Sequence, residues 1–145
     1  MTTEEFLDGL KDYITNNYAS FLSNQPGSLP DFKERVIGGR DPFDCGHYPS
    51  LSMHLSNEDE EWRSLTDLES ELKIDMAISV MNPKADTAHR YQLRYAEAMK
   101  EMIKDDQTIG NIVVLAGIQG IRHYPPGSGG QGSVAVTVFE LIVNL

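Results

Sequence analysis

The sequence predicts an α+β fold in which a largely antiparallel four-stranded sheet carries two helices packed on one side and a long β-hairpin arm. Three observations lead to this prediction. Two segments repeat apolar residues at spacings of three and four, as amphipathic helices do. Four other segments alternate apolar and polar residues or are rich in β-branched residues, as strands are. Their order along the chain is helix, connection, two strands, helix and two strands, which favours the α+β class.

Length and charge limit both the fold and the partners. With 145 residues, positions 1–145 are expected to form one domain around a single hydrophobic core. The formal charge of −10, with basic residues scattered between carboxylates, argues against tight nucleic-acid binding. No stretch offers the roughly 20 continuous apolar residues of a membrane span, and the acidic start differs from a secretory signal. Because Cys45 is the only cysteine, an internal disulfide is excluded.

The first helix is predicted over residues 3–22. Thr2 stands three residues before Glu5, the spacing of a capping box in which each side chain satisfies a free backbone N–H group. The apolar face of this helix comprises Phe6, Leu7, Leu10, Tyr13, Ile14, Tyr18, Phe21 and Leu22.

Residues 23–49 are predicted to form a long connection. Their many glycines and prolines exclude a long regular element. A connection of this length is uncommon within a compact domain. Two interpretations stay open, one in which the segment wraps over a neighbouring subunit and one in which it is disordered.

A β-hairpin is predicted to open the sheet-and-helix core, which spans residues 50–145. Tyr48 to Leu55 forms a short strand, and the polar run from Ser56 to Glu61 is expected to be a solvated turn. From Leu68 to Val80, apolar residues alternate with mostly acidic ones over more than the usual strand length of roughly 5 to 6 residues. This length predicts a protruding arm that contacts another subunit.

The second helix is predicted from a cap at Asp86 or Thr87 to about Lys104, after Asn82-Pro83 ends the long strand. It would cover the sheet. Its apolar face comprises Ala88, Tyr91, Tyr95, Met99 and Met102.

Two strands are predicted to close the chain. An extended region begins at Gly110, and Gly117 and Gly120 within it suit a bend or a bulge. Val134 to Val143 is apolar in both phases, which indicates a strand covered on both sides, either central in the sheet or at an interface.

No motif in the sequence predicts catalysis, a cofactor or a metal. Cys45-Gly46-His47 offers two soft ligands, but zinc needs three or four and no second pair follows at a useful spacing. His54 and His89 lie at positions expected to be ordinary surface or packing sites. A small cytoplasmic enzyme that uses His47 and His123 with a nearby carboxylate as acid and base stays an alternative.

A glycine-rich loop near the end of the chain is a candidate docking segment for a partner. It lacks the Lys and the following helix of a phosphate-binding P-loop. It is predicted to be a flexible hairpin loop that becomes ordered on contact with a partner. The loop residues of this candidate are Pro125, Pro126, Gly127, Gly129, Gly130 and Gly132.

An acidic region is the candidate subunit interface or lumen surface. Between residues 58 and 75 there are eight acidic and two basic side chains, so six of the ten net negative charges lie there. The region is either a solvated hairpin or a surface past which DNA slides without binding. Trp62 within it would anchor the hairpin or a subunit contact. The candidate residues are Glu58, Asp59, Glu60, Glu61, Trp62, Glu69, Glu71 and Asp75.

Together these features resemble the tail terminator and tail-to-head joining proteins of long-tailed bacteriophages. The resemblance rests on the segment Tyr48-Pro49-Ser50-Leu51-Ser52-Met53, the run from Glu58 to Trp62, the long amphipathic strand, the Tyr/Met/Ala-rich helix and the two closing strands. It implies a non-enzymatic virion tail protein, made in the host cytoplasm, that forms a ring, expected to be a hexamer. Such a ring caps the tail tube protein and contacts the head connector, while DNA passes through it.

Under this resemblance, Glu69, Glu71 and Asp75 are hypothesised to face the lumen. The 23–49 connection is longer and richer in Gly and Pro than a minimal member of the family would need. Other interpretations stay open: another neck or tail-tube component, or a host adaptor that binds a basic protein through the acidic hairpin.

Overall fold

A computed structural model describes residues 1–62, 68–113, 115–130 and 133–145, with the side chains of all of these except 59–62 and 68–70. Within these ranges the chain forms an α+β fold with two helices and one five-stranded mixed sheet. The elements are α1 (Thr3–Leu22), β1 (Glu34–Ile37), β2 (Ser50–Trp62), β3 (Leu68–Met81), α2 (Ala85–Asp105), β4 (Leu115–Tyr124) and β5 (Val134–Asn144).

The strand order is β1-β2-β3-β5-β4, and every neighbouring pair is antiparallel except β1 and β2, which are parallel. The prediction of four strands was therefore wrong by one. β1 lies inside the 23–49 connection, where the backbone N–H of Lys33 donates to Pro49 O and that of Gly38 donates to Met53 O, both at 2.8 Å. Four residues between glycines and prolines are too few to show the alternation that predicts a strand. The pairing of β1 could not be predicted locally either, because its partner β2 is distant in sequence.

β3 is the central strand, and the long alternating strand predicted from the sequence is confirmed. Its apolar residues Leu72, Ile74, Met76, Ile78 and Val80 are buried in one cluster with apolar residues of both helices. Successive residues of a strand point to opposite faces, so both helices cover the same face of the sheet. The opposite side, here called the open face, carries the charged phase of β3.

α1 forms as predicted, including its capping box. Thr2 Oγ1 accepts a hydrogen bond from the Glu5 N–H, and Glu5 Oε2 accepts one from the Thr2 N–H. At the other end, the Tyr18 ring stacks on Phe32 at 4.6 Å, and its hydroxyl donates to the Tyr95 carbonyl at 2.7 Å. These contacts fix the C-terminal half of α1 against α2.

α2 begins at Ala85, before the predicted cap at Asp86 or Thr87. Its N-cap is Lys84, which makes no side-chain capping bond, so the assignment of Asp86 or Thr87 as the cap was wrong. The backbone N–H of Lys84 donates a hydrogen bond to Asn82 Oδ1 at 3.0 Å. The turn after the long strand therefore positions this helix start.

The hairpin differs from its prediction in two respects. Residues 56–61 do not form a turn, since β2 continues as far as Trp62 and the connection to β3 lies outside the described residues. Most of β3 also does not protrude as the predicted arm would, because β3 pairs with β5 from Glu71 onward and, of the residues described in β3, 68–70 extend past β5. Charged residues can continue a strand when its backbone pairs with a neighbour, which local polarity does not reveal.

The closing strands agree with the prediction except at the start of β4. Residues 107–112 form turns in which the Asp106 carboxylate accepts hydrogen bonds from the Thr108 hydroxyl and from the N–H groups of Gly110 and Thr108. These bonds, that of the Thr108 hydroxyl most of all, lower the pKa of Asp106. β4 contains the expected irregularity, a register shift between Ile118 and Gly120. β5 lies between β3 and β4, away from both sheet edges. Neither described helix combines the length and apolar character needed to span a membrane.

Gln92 joins α2 to the ends of β4 and β5. Its side chain is fully buried, and Nε2 donates to the carbonyls of Tyr124 at 3.0 Å and Val136 at 2.8 Å. Because both amide protons are used, Oε1 is the acceptor toward His89 Nδ1 at 2.8 Å.

We expect Gln92→Leu to lower the free energy of unfolding by about 2–3 kcal/mol, since it leaves two buried carbonyls without their donors. Urea denaturation of the variant measures this change. Gln107→Leu, at an exposed position, is the control and should change stability by less than about 0.5 kcal/mol. Equal stabilities of the two variants would contradict the role given to Gln92.

Candidate assembly surface

The open face is covered over one half only. Residues 38–47 lie across the half that contains Ser79, whose hydroxyl donates to the Pro42 carbonyl at 2.6 Å. The Phe43 ring meets Tyr124 edge-on, with centroids 5.6 Å apart. Ser50, Ser79 and Val136 are consequently buried. This segment of the predicted connection therefore covers its own sheet.

Arg40 fixes the covering segment. Its guanidinium forms an ion pair with Glu34 of β1 at 2.9 Å and donates to the Cys45 carbonyl. The hydrogen bond from Arg40 lowers the pKa of Glu34 and raises that of Arg40. β1 thus supplies the anchor for the segment that follows it.

The other half of the open face is uncovered and carries mixed charges. A groove of about 360 Å³ is lined by Ser56, Lys73, Asp75, Gln119 and Glu140. Two carboxylates in it lie near basic side chains: Asp75 is 3.7 Å from the His54 imidazole, and Glu140 is 3.7 Å from Arg122. A second groove of about 200 Å³ adjoins it and is more apolar. The residues of this second groove are Leu115, Gly117, Ile118, Gln119, Ile142 and Asn144.

The predicted acidic residues do not all share one face. Glu71 and Asp75 lie on the open face, in the phase opposite the buried residues of β3. Glu58 is exposed and pairs with Leu72, because a bulge between Leu55 and Asn57 shifts the phase of β2. Its carboxylate accepts a hydrogen bond from Thr3 Oγ1 at 3.2 Å, beside the start of α1. The remaining acidic candidates and the indole have side chains outside the described part: Asp59, Glu60, Glu61, Trp62 and Glu69.

The candidate docking loop has local structure of its own. The N–H of Ser128 donates to Pro125 O and that of Gly130 donates to Gly127 O, both at 3.1 Å. A Cβ at Gly129 would overlap the Phe43 ring, so the loop packs against residues 38–47. Gly132 lies outside the described residues. Phe43 is a contact that the sequence analysis missed, since no local pattern links it to the loop.

The structure does not join the histidines of the enzyme alternative. His47 lies near Glu34, whereas His123 contacts Thr137 Oγ1 at 3.0 Å through Nδ1. Partial burial, followed by electrostatic repulsion from Lys100 and the nearby His89, lowers the pKa of His123. Cys45 is a free, partly buried thiol. Among the described residues, no three His, Cys, Asp or Glu side chains are grouped as a metal site would require.

Leu115 is the functional candidate that the sequence analysis missed most clearly. It lies in the extended region predicted to begin at Gly110, and its side chain is 48% exposed. It begins β4, which is an edge strand. Alternation along a strand does not reveal which strand lies at an edge.

No protein-family model matches the chain, and no curated protein matches it.

We expect Gly129→Ala to weaken the contact between the glycine-rich loop and the covering segment, because the new methyl group would displace Phe43. The expected result is faster proteolysis within residues 38–47 and a lower melting temperature. Gly39→Ala is the matched control, since a Cβ at Gly39 has no neighbour within 4 Å. Identical proteolysis of both variants would show that the loops are not coupled.

Stability should fall at acidic pH partly through His123. Because the pKa of its imidazole is lowered in the folded chain, the unfolded chain binds the proton more readily, and the free energy of unfolding falls as pH drops through about 6.5. Urea midpoints at pH 7.5 and 5.5 measure this loss. In His123→Gln the loss should be smaller, whereas an equal loss would assign it to the carboxylates alone.

Proposed function

We propose that this protein is a tail terminator or head-tail joining subunit of a long-tailed bacteriophage, and that it acts as a closed ring. The main support for this proposal is the open face, of which one half is uncovered. A sheet with helices on one side normally buries one face and leaves the other to solvent or to a partner. Here half of that other face is covered by the chain itself, and the remainder presents grooves beside a free sheet edge.

The charge of the open face supports a DNA conduit. Glu71, Asp75 and Glu140 lie on the uncovered half, where the neighbouring cations are Lys73 on β3 and Arg122, 3.7 Å from Glu140. With an overall charge of −10, such a surface disfavours phosphate contacts, so a duplex would pass without being held. In the proposed ring the open face lines the lumen and the two helices face outward.

The two ends of the subunit are proposed to meet different partners. The end of the β2–β3 hairpin, with the run Glu58–Glu61 and Trp62, is proposed as a subunit contact. The loop from Pro125 to Gly130 lies at the opposite end of the strands, beside Tyr124, and is proposed to dock on the tail tube protein or the head connector. The hairpin end would thus serve the ring itself, and the loop end would serve a partner outside it.

A second candidate, an acidic adaptor for a basic protein, is favoured by one observation. Glu58 and the start of α1 with Glu4 and Asp8 are exposed and acidic, and Thr3 links them by its hydrogen bond to Glu58. Binding through such a surface would weaken steeply with salt.

The decisive measurement is the mass of the purified protein by light scattering over a concentration series, with negative-stain imaging of any large species. A closed ring of about six subunits is expected, because head-to-tail interfaces close when the rotation between neighbours allows it. Open tubes would instead identify a tube subunit. A monomer that binds basic proteins in a salt-sensitive way would favour the adaptor.

Neutralising Glu71→Gln together with Asp75→Asn should leave the ring intact and increase its retention of duplex DNA. Removing two carboxylates from each subunit reduces the repulsion of phosphates in the lumen. Gel-shift assays of the assembled ring at low salt measure the retention, which we expect to rise about tenfold. The control, Glu4→Gln with Asp8→Asn, removes the same charge from exposed positions of α1. If both variants retain DNA equally, the open face does not line the lumen; loss of folding would make the two carboxylates structural.

A further inference from the structure

A pocket that the proposed function leaves unused lies on the helix side of the sheet, beside the end of β3. Its volume is about 160 Å³. Its walls come from the segment before β1, the residues just before β2, the end of β3 and the tyrosines of α2. An engineered cavity of about 150 Å³ with apolar walls binds benzene, so a pocket of this size has room for one phenyl ring.

Hydrogen bonds join the walls of the pocket to one another. The Tyr95 hydroxyl donates to the Pro30 carbonyl, and the Tyr18 hydroxyl donates to the carbonyl of Tyr95 at 2.7 Å. On the opposite wall, the backbone N–H of Lys33 donates to Pro49 O at 2.8 Å. A pocket whose walls are already held in place loses little conformational freedom when it is filled, which favours binding.

The accessible part of the lining consists of residue types that protein interfaces favour. Met81, at the end of β3, is 49% exposed although it is apolar. Tyr48 and Tyr91 also line the pocket and are only partly buried. Tyrosine and methionine are enriched at protein interfaces, where they supply a large contact area. The pocket is therefore suited to an apolar side chain that comes from outside the chain.

The rim of the pocket carries positive charges without a counter-charge of their own. Lys33 lines the pocket and is exposed, and the Arg94 guanidinium lies 5.7 Å from the centre of the Tyr91 ring. Lys84, the exposed N-cap of α2, lies seven residues before Tyr91 and so on the same side of that helix. None of these three cations forms an ion pair with a described residue. In a chain with a net charge of −10, they are free to bind carboxylates from outside.

The pocket lies at the end of the sheet that carries the candidate docking loop. Met81 pairs with Val134, the first residue of β5, and Tyr124 pairs with Val136 of the same strand. The loop from Pro125 to Gly130 connects Tyr124 to this part of β5. A protein that docks on the loop can therefore also reach the pocket. The hairpin end, proposed above as the subunit contact, lies at the other end of β2.

We propose that this pocket binds an acidic segment of a partner protein, with one aromatic side chain of the segment in the pocket and its carboxylates at Lys33, Lys84 and Arg94. A basic rim around tyrosines also suits single-stranded nucleic acid, whose bases stack on aromatic rings. A nucleic acid strand would extend from the pocket over the acidic remainder of the surface, whereas a short segment meets only the rim. The charges therefore favour the peptide. Because one subunit contains the whole pocket, this binding does not depend on the proposed ring.

Fluorescence anisotropy with the full chain and labelled pentapeptides tests the proposal. The first peptide has phenylalanine between two pairs of glutamates, the second has alanine in place of phenylalanine, and the third has glutamines in place of the glutamates. The first should bind about tenfold more tightly than either of the others, because it alone supplies both the ring and the carboxylates. The net charge of −10 repels this peptide, so a preference for it requires a local basic site. Equal binding of the three peptides, or no binding of the first, would overturn the proposal.

Charge reversal at the rim locates the binding site. Lys33→Glu should weaken binding of the acidic peptide by about tenfold or more and change that of the glutamine peptide by less than about threefold. Lys104→Glu makes the same charge change at an exposed position in the last turn of α2 and is the matched control, expected to stay within about threefold. Equal effects of the two variants on the acidic peptide would overturn the proposal, since the overall charge alone would then control binding.

A second pair of variants tests the pocket wall without changing any charge. Met81→Ser should weaken binding of the acidic peptide by about fivefold or more, because it removes apolar contact with the phenyl ring. Leu93→Ser is its control: Leu93 is 43% exposed on α2 and does not line the pocket. Equal binding by these two variants would contradict the placement of the ring in the pocket.

The outcomes separate this proposal from the ring and from other occupants. A chain that is monomeric but binds the acidic peptide through Lys33 would overturn the ring and support the pocket, whereas rings that do not bind the peptide would overturn the pocket alone. Binding of labelled pentathymidine instead of the peptide would identify a nucleic-acid site and overturn the proposal. Dissociation of assembled chains by the acidic peptide would identify a second copy as the occupant and overturn the assignment to a different partner.

Discussion

The alternation of side chains along β3 is the constraint on which the rest of the structure depends. Its apolar side chains, from Leu72 to Val80, form the surface against which both helices pack. Its charged phase therefore has to point to the opposite face. Because β3 pairs with β2 on one side and β5 on the other, it transmits this division to the whole sheet. One face becomes a core and the other becomes a surface.

The use of that second surface is determined by residues far apart in the chain. Phe43 lies between Tyr124 and Gly129, and Ser79 holds the backbone at Pro42. These contacts close one half of the open face with the chain's own loop. The other half keeps its charges and its grooves. The covered half therefore contributes to stability, whereas the uncovered half remains available for contacts with partners.

The proposed assembly follows from the same division. In the proposed ring, a core on one face lets the helices remain outside while the open face lines the lumen.

The sequence alone determined those features that depend on near neighbours. The spacing of Phe6, Leu10 and Ile14, the Thr2–Glu5 capping box and the alternation of β3 are local, so they predicted α1 and β3. Only the tertiary structure decided the pairing of β1, the strand character of residues 56–61, the buried role of Gln92 and the contact between Phe43 and Gly129. Each of these requires a partner that lies distant in the chain. Periodicity reveals which face of an element is apolar, but not what will cover it.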